Sequence, residues 1–409
     1  MADRKIKAAD ILLPTVADMG KWSVIACDQF TSDREYWAET CRIVGDRPSS
    51  LHMIFPEAWI GSREEDGASA QIAERMLRYQ REGIFRERKD AMIAVERQMQ
   101  DGKIRRGIVA AVDLEAYDYR PEVSAPIKAT ERTVEERLVK RLVLRKNASL
   151  EAPHILVFFD DPEHRIDVEL ESLQGEMREE YSFELMQGGG RIRGRSFQGA
   201  AAGRMEKAFD ELTGNGQTML AAGDGNHSLA TAKLSWEEMK KTLSEQEKTE
   251  DPARYALVEL VNVYDEGVEI EPIHRVLLGT DSRGFADHAE RFFRGRSKNG
   301  SPRTVIAGTA AGEKSIEVYG LSTGELVSAA DGLMEEYARL HGGTEDYIHD
   351  AGSARTIGSG EQAAFLILPE VKREELFSVV RENRIFPQKS FSIGNARDKR
   401  YYLEYRRIR

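Results

Sequence analysis

The stretch from Thr218 to Lys233 constrains the fold more than any other part of this sequence. Met219 to Ala222 is a short apolar run that predicts a buried strand, and the small residues from Ser228 onward predict a helix packed closely on a sheet. Between them lies Gly223-Asp224-Gly225, in which the two glycines let the backbone turn sharply. Asp224 or Asn226 is predicted to cap the helix. The stretch therefore indicates an α/β protein.

The same turn is a candidate phosphate site. A strand-to-helix turn directs backbone N–H groups and the positive end of the helix dipole toward one spot. Asp224 and His227 stand at that spot, which suits a phosphate or a metal-bound phosphate. The sequence carries neither the Gly-Lys-Ser/Thr of a P-loop nor the Gly-x-Gly-x-x-Gly dinucleotide pattern. By spacing alone, a plain capped turn fits equally well.

Further apolar runs predict the rest of a sheet. Pro153 to Pro162 and Tyr255 to Tyr264 are unbroken enough to indicate strands buried on both faces. Ala68 to Gln100 has apolar residues at helical spacing and predicts a long helix or a helix pair broken at Gly83. Other strands are predicted at Trp22 to Asp28, Leu51 to Pro56 and Ile104 to Leu114, with a hairpin at Tyr181 to Phe197 and a helix that starts at a Thr133–Glu136 capping box and runs to about Asn147.

The length of 409 residues predicts two or three domains, or one large body with an appendage. The predicted fold class is α/β (mixed α+β), with a central mixed sheet flanked by helices. Residues 1–280 form the main body that carries the site. From Asp281 onward the sequence pattern changes to short predicted strands and helices. Residues 281–409 are therefore predicted to form a smaller C-terminal α+β unit packed on the main body. The basic tail to Arg409 is predicted to be a solvated end, with a partner-binding patch as the alternative.

Composition restricts the classes of function. The net charge of −11 argues against binding to nucleic acid or to anionic membranes. The two cysteines, Cys27 and Cys41, form no Cys-x-x-Cys pair, so that no zinc, haem or iron–sulfur centre is expected. No signal peptide or membrane-spanning run is predicted. We expect a cytoplasmic protein whose partner is a small phosphate-bearing molecule.

Several charged residues near predicted strand ends are further site candidates. Asp28 ends a predicted strand, where α/β proteins often place a carboxylate that faces a ligand, although it also fits a turn cap. Lys128, Thr130 and Arg132 lie in one short loop that can clamp a phosphate or remain an exposed charged loop. The pair His274-Arg275 lies inside an apolar run, and fits an anion contact as well as a core position.

Six blocks of this sequence resemble one family of bacterial and archaeal proteins, domain of unknown function 1015. The blocks are Ala125 to Glu131, Glu136 to Leu138, Glu151 to His154, Asp224 to His227, Pro272 to Arg275 and Pro387 to Ser390. They occur in the family's order and span most of the chain, which is therefore identified as a member.

This sequence departs from the family pattern at its centre. Where the family more often reads Asp-Gly-His-His-Arg, Asn226 replaces the first histidine and Ser228 replaces the arginine. That motif is similar to the nucleotide-phosphate box of the ParB/sulfiredoxin-like fold, which includes free-serine kinases. The resemblance implies phosphorylation of a small hydroxyl by a nucleoside di- or triphosphate, with Mg²⁺ and ATP or ADP as cofactors. Sulfiredoxin chemistry is disfavoured because no cysteine lies in or beside Asp224 to Ser228.

The favoured hypothesis is a phosphotransferase on a small hydroxylated metabolite. Asp28, Asp224 and His227 are the predicted catalytic residues, with Asp28 as the base and Asp224 as the residue that orients a metal or the nucleotide. The predicted phosphate or nucleotide contacts are Gly223, Gly225, Asn226, Ser228, Lys128, Thr130, Arg132, His274 and Arg275. One alternative is a metal-dependent phosphoester hydrolase with Asp224, His227 and either Asp28 or Asp160 as ligands. Another is a non-catalytic sensor or binding protein for an anionic metabolite.

Overall fold

The computed structural model describes residues 4–62, 67–133, 135–214, 218–382 and 385–409, without the side chains of residues 135–137 and 140. The chain divides into two compact units. The first contains residues up to Val268 together with Ala396–Arg409, and the second contains Glu269–Asn395. The sequence prediction placed the boundary after residue 280 and assigned the whole C-terminal tail to the second unit. The observed division differs at both points.

The first unit carries strands β1–β12 and β20 and helices α1–α8. Its strands are β1 (Ile6–Lys7), β2 (Ala9–Pro14), β3 (Phe85–Gln98), β4 (Ile104–Asp113), β5 (Tyr117–Asp118), β6 (Ile127–Ala129), β7 (Leu150–Glu151), β8 (Leu156–Phe159), β9 (Arg178–Glu184), β10 (Arg191–Gln198), β11 (Leu220–Asp224), β12 (Tyr255–Asn262) and β20 (Arg406–Arg407). Its helices are α1 (Met19–Trp22), α2 (Arg34–Val44), α3 (Ala68–Arg81), α4 (Glu135–Asn147), α5 (Arg165–Ser172), α6 (Ala200–Thr213), α7 (Asn226–Met239) and α8 (Glu245–Glu250).

A mixed sheet organises the first unit. Among the described residues it has eleven strands, in the order β5-β6-β11-β8-β12-β4-β3-β10-β9, with β1 beside β4 and β2 beside β3. Strands β5, β6 and β11 run parallel to one another, as do β8 and β12, whereas β8 and β11 are antiparallel. The predicted class, a mixed α/β fold with a central mixed sheet, is confirmed.

Alternate residues of the central strands enter two cores on opposite faces of the sheet. In β3, Ile93 and Val95 pack on one side with Trp22 and Trp37, whereas Met92 and Ala94 pack on the other. The predicted helix or helix pair over Ala68 to Gln100 is therefore wrong for the second half of that segment, which forms β3. A run that is apolar on both faces has no clear period, so that helical spacing can be read into a strand.

Two shorter predictions are also wrong. The run from Trp22 to Asp28 is not a strand but the end of helix α1 and a loop, with a single bridge from Ile25 to Tyr401. The run from Leu51 to Pro56 begins in a 3₁₀ helix over Ser50–Met53. Both segments are apolar because they cover one face of the sheet. Burial alone does not distinguish a strand from a packed loop.

The C-terminal tail is buried in the first unit and is not a solvated end. Tyr401, Tyr402 and Tyr405 are each at most 2% exposed. Arg400 donates to Glu259 at 2.7 Å, and Arg406 donates to Glu151 at 2.8 Å. These basic residues appeared solvated from local sequence because the carboxylates that neutralise them lie far away along the chain.

The second unit is a smaller α+β structure. Its strands are β13 (Ile270–Pro272), β14 (His274–Leu278), β15 (Pro302–Thr309), β16 (Gly312–Tyr319), β17 (Thr344–Ile348), β18 (Ala363–Ile367) and β19 (Phe391–Ile393), and its helices are α9 (Phe285–Arg294), α10 (Thr323–His341), α11 (Ala351–Gly358) and α12 (Arg373–Arg381). Five strands form an antiparallel sheet in the order β16-β15-β18-β14-β17 within the described part of this unit. Helices α9 and α10 pack on one face, through Phe285 and Leu333.

Helix α4 ends at Asn147 as predicted. The predicted Thr133–Glu136 capping box lies outside the side chains that the structure describes.

Of the helices in the described ranges, none combines the length and the apolar character needed to cross a lipid bilayer.

Candidate functional site

The ends of neighbouring strands bring the candidate residues to one edge of the main sheet. Strands β6 and β11 are parallel, with Ala129 opposite Ala222, so that Thr130 and the turn after β11 leave the sheet together. Strand β8 is antiparallel to β11 and pairs Leu156 with Asp224. His154, two residues before β8, therefore lies at the same edge.

The glycine turn, Gly223–His227, joins β11 to α7. Gly225 occupies the cap position with φ of 74°, in the left-handed region that favours glycine. A Cβ at Gly223 would collide with the ring of Phe158. The predicted side-chain cap is absent from this described helix start, because Asp224 accepts from the Gly225 N–H at 2.9 Å instead. The backbone N–H groups of the first turn, beginning at Asn226, thus carry the positive end of the helix dipole.

Polar side chains surround the glycine turn. Thr130 donates to the Ala222 carbonyl at 2.6 Å and accepts from the Asn226 amide at 3.4 Å. The Lys399 ammonium lies 3.4 Å from the Asp224 carboxylate. Arg132, two residues after Thr130, is exposed. The structure therefore brings the predicted Thr130 to the predicted turn and adds a lysine from the C-terminal tail.

A second group, the Asp28 cluster, consists of Asp28, Glu57, Arg141, His154 and Ser228. Arg141 donates to Ser228 at 2.9 Å, forms an ion pair with Glu57 and lies 3.9 Å from Asp28. His154 Nε2 lies 3.5 Å from Asp28 Oδ2 and 3.3 Å from Ser228 Oγ. Asp28 and the first turn of α7 are therefore connected by two side chains, each of which contacts both.

The orientation of His154 is fixed by Tyr402. The Tyr402 hydroxyl accepts from the Cys27 N–H at 3.2 Å and lies 2.9 Å from His154 Nδ1. Burial raises the pKa of Tyr402 well above its ordinary value, so that the hydroxyl keeps its proton. With this hydroxyl donating to Nδ1, the hydrogen of a neutral imidazole lies on Nε2, the nitrogen that faces Asp28.

Asp28 is held ionised. Burial favours its protonation, but the charge and hydrogen bond of His154, followed by Arg141, lower the pKa of the carboxyl far below its usual range. Gln29 adds a hydrogen bond at 3.1 Å. By contrast, burial and the neighbouring Asp28 charge raise the pKa of Cys27 to about 12, so that its thiol is not a nucleophile at neutral pH.

Backbone strain lies beside Asp28. Phe30 has φ of 52°, a left-handed conformation that costs a residue with a side chain roughly 1–2 kcal/mol. Its ring stacks on Tyr36 with centroids 3.8 Å apart, which offsets part of that cost. Backbone strain of this kind is often found at functional sites.

A cavity of about 700 Å³ opens from the Asp28 cluster. Its walls come from α3, α4 and the segment 53–60, and are mainly apolar, as at Met53, Ile72 and Leu144. Its polar groups include Glu57, Arg141, His154 and Ser228. A concave apolar pocket with a few convergent polar groups is the usual form of a small-molecule site.

Lys128 and Asp160 have other surroundings. Lys128 is fully buried in β6, and its ammonium donates to the carbonyls of Arg120 and Val123. Asp160 follows β8 at the opposite edge of the sheet, where its N–H donates to the Met219 carbonyl. Because β8 and β11 are antiparallel, Asp160 and Asp224 cannot share a metal ion, and the ligand set that combined them is wrong.

His274 and Arg275 belong to the second unit. Arg275 is fully buried, donates to Asp331 at 2.8 Å and to the Lys389 carbonyl at 3.0 Å, and pairs with Glu345 at 3.6 Å. His274 accepts from the Leu368 N–H, and burial, with the charge of Arg275, lowers its pKa to about 4. These contacts all lie within that unit and stabilise its sheet.

Glu345 predicts a pH dependence of stability. Burial, followed by repulsion from Asp331, raises its pKa from 4.5 to about 7. Between pH 4.5 and about 7 the Glu345 carboxyl is protonated in the folded state and ionised in the unfolded state. The stability contributed by this proton is therefore fully present below pH 4.5 and is lost as the pH rises through about 7. Glu345→Gln should therefore raise the melting temperature at pH 8 and leave it nearly unchanged at pH 5.

Calorimetric melts between pH 5 and 8 measure this effect. The exposed Glu361→Gln, in the same unit, is the matched control and should follow the wild type at every pH. An equal shift of Glu345→Gln at pH 5 and pH 8 would contradict the assignment.

Five residues near the candidate site were not predicted as site residues: Glu57, Arg141, His154, Lys399 and Tyr402. His154 belongs to one of the blocks that resemble the family, which is the one signal that pointed to it. Arg141 lies mid-helix among other basic residues, where a solvated face is the usual interpretation. Lys399 and Tyr402 come from the distant tail, and local sequence carries no sign of their contacts.

The described side chains contain no cluster of three or more His, Cys, Asp or Glu residues that could hold a metal ion. Asp224 is the carboxylate at the glycine turn and is already close to Lys399. Any Mg²⁺ at this turn would therefore take most of its oxygen ligands from a bound phosphate and from water, as Mg²⁺ commonly does.

These features define a mixed α/β protein with a glycine-containing strand–turn–helix junction and an apolar cavity. The family described as "Protein of unknown function (DUF1015)" matches residues 10–342, and the chain belongs to that family. No match was found among curated proteins.

The solved structures that are similar to this chain include the following three. A free serine kinase in complex with AMP has 11% identity and a TM-score of 0.39, covering 73% of this chain and 92% of its own. A conserved hypothetical protein from Pyrococcus furiosus has 12% identity and a TM-score of 0.33, covering 72% and 90%. SbnI with a C-terminal truncation, from Staphylococcus aureus, has 10% identity and a TM-score of 0.36, covering 70% and 82%.

Proposed function

We propose that this protein is a nucleotide-dependent phosphotransferase that acts on a small molecule with a hydroxyl group. The glycine turn would hold the phosphates of the nucleotide, and Asp28 would accept the proton of the attacking hydroxyl. One observation carries this proposal: Arg141 and His154 each contact both Asp28 and Ser228. Each of these two side chains therefore bridges the proposed base and the first turn of the helix that would bind the phosphates.

Phosphate binding rests on the turn and its surroundings. The N–H groups at the start of α7 and its dipole favour an anion. Lys399 and the exposed Arg132 supply positive charge at the same edge, whereas Lys128 and Arg275 already donate to other groups. Asp224, with phosphate oxygens and water, forms a donor set that suits Mg²⁺, which would neutralise phosphate charge when bound.

The environment of Asp28 suits phosphoryl transfer. The transition state of such a transfer is loose, so that positioning and an ionised acceptor matter more than a strong base. His154 and Arg141 keep the carboxylate ionised and fix its direction. The same geometry disfavours a Ser-His-Asp hydrolase, because Ser228 and Asp28 both approach Nε2 of His154, whereas a catalytic triad places them on opposite nitrogens.

Nucleotide binding is the first test. ADP or ATP at millimolar concentration with Mg²⁺ should raise the melting temperature, because a ligand that binds only the folded state stabilises it. Lys399→Gln should reduce this shift, while the exposed Lys241→Gln serves as the charge-matched control. The measurement is a thermal-shift titration. Absence of stabilisation by ADP, ATP and CTP, with and without Mg²⁺, would rule the proposal out.

A further inference from the structure

The cavity beside the Asp28 cluster has room for far more than a hydroxyl group. Its volume of about 700 Å³ falls within the range of sites that enclose drug-sized ligands. The walls are built mainly from aliphatic and thioether side chains, including Met53, Ile54, Ile72, Met76 and Leu144. Burying a polyphosphate chain against such walls is unfavourable, whereas burying an apolar body is favourable. The nucleotide phosphates therefore belong at the glycine turn, and the cavity belongs to the acceptor.

The polar end of the cavity does not attract an anion. Glu57 lines the cavity, and Asp28, which is not a lining residue, lies 3.9 Å from the guanidinium of Arg141 and 3.5 Å from Nε2 of His154. Arg141 is already shared among these carboxylates and Ser228. Arg145, the next cation along the wall, pairs with the buried Glu151 at 3.0 Å. An anionic head group at the Asp28 cluster would find Arg141 and His154 already engaged by carboxylates, whereas a hydroxyl or an ammonium group would meet acceptors.

The mouth of the cavity is apolar as well. Ile60 and Val143 both line the cavity, and they are 45% and 51% exposed. Their exposure gives an apolar ligand contact surface from the Asp28 cluster to the opening. Scattered exposed apolar residues are common on protein surfaces, but exposed apolar residues that continue the lining of a pocket indicate a ligand-binding groove.

Resting on the proposed phosphotransfer, we infer that the acceptor is an amphipathic alcohol. Its apolar body lies in the cavity, its hydroxyl faces Asp28, and its head carries either no charge or a positive charge. In the reaction, the hydroxyl oxygen forms a bond to the terminal phosphorus of the nucleotide, the bond from that phosphorus to the bridging oxygen breaks, and Asp28 takes the hydroxyl proton. The products are a phosphate monoester and the shortened nucleotide.

Displacement of a neutral fluorescent probe, N-phenyl-1-naphthylamine, tests this inference on the full-length protein. The probe should bind the cavity, and 1-octanol and octylamine should displace it at concentrations roughly tenfold below octanoate, because only octanoate brings a charge that the carboxylates repel. Equal displacement by octanoate and 1-octanol would overturn the assignment of the head group. Failure of the probe and of all three ligands to bind would overturn the inference as a whole.

Substitutions locate the binding. Ile72→Trp fills the cavity and should abolish probe binding, while Val139→Trp, 64% exposed and outside the lining, should not. Probe binding that survives Ile72→Trp in a folded protein would place the ligand elsewhere and overturn the inference. Glu57→Gln removes one negative charge and should improve displacement by octanoate about tenfold. If Ile72→Trp does not fold, Glu57→Gln and the wild-type order of ligands decide the question.

ADP stabilisation measured on the same preparations separates the two proposals. Stabilisation by ADP without binding of alkyl ligands would overturn the amphipathic acceptor and leave phosphotransfer standing. Binding of 1-octanol in the predicted order without stabilisation by ADP would support the ligand class and contradict the proposed phosphotransfer.

Discussion

Asp28→Asn lowers the rate of phosphoryl transfer by roughly 10²–10⁴-fold and leaves nucleotide binding unchanged. This range is the usual contribution of a positioned general base. Asparagine keeps the shape of the side chain and one amide oxygen that can still accept from Gln29, but it cannot take up the proton of the hydroxyl. The measurement is release of ADP from ATP in the presence of the alcohol that binds the cavity best, together with ADP-induced thermal shifts.

The matched control is Asp46→Asn, an exposed aspartate of the same region, which should retain the wild-type rate. Loss of both turnover and nucleotide stabilisation in Asp28→Asn would show that Asp28 maintains the structure of the site instead of acting as its base. Retention of full turnover would remove Asp28 from the chemistry.

Arg400→Met destabilises the first unit by about 3–5 kcal/mol, the usual cost of breaking a buried ion pair from one side. Arg400 donates to Glu259 and Glu404 at 2.7 Å and to the Pro153 carbonyl at 2.9 Å, all in the interior. Burial would raise the pKa of Glu259, but Arg400, followed by Arg105, keeps it below its ordinary value. Removal of Arg400 leaves both carboxylates buried without their main partner.

A denaturant or thermal melt at pH 7 measures this loss. The control is Arg407→Met, whose partner Glu87 lies at the surface and whose pair contributes at most about 1 kcal/mol. Because the pKa of Glu259 is lowered on folding, its contribution to stability is present above the pKa of the unfolded state and is lost as the pH falls through the folded value. A loss no larger than that of Arg407→Met would contradict the role of Arg400.

Sequence patterns predicted the elements that local residues determine. The strands β8, β11 and β12 and the hairpin of β9 and β10 were predicted because unbroken or turn-punctuated apolar runs of strand length have few other solutions. Strand β3 was missed because burial on both faces removes the alternation that distinguishes a strand from a helix. The burial of the C-terminal tail could not be predicted because its partners, Glu151 and Glu259, are distant in sequence.

The candidate site shows the same division. The glycine turn and Asp28 could be predicted because each stands at the end of an apolar run, and the predicted Ser228 joins both groups. Their proximity could not be predicted, because it depends on Arg141 and His154 reaching between three segments of the chain. No local pattern records a contact that only the tertiary fold creates.

A crystal structure of the protein with ADP and Mg²⁺ tests the central claim most directly. We predict the β-phosphate within hydrogen-bonding distance of the backbone N–H groups at the start of α7, near Lys399, with the cavity beside Asp28 left for the acceptor. A nucleotide whose phosphates lie away from the glycine turn, or whose base fills the apolar cavity, would contradict the account.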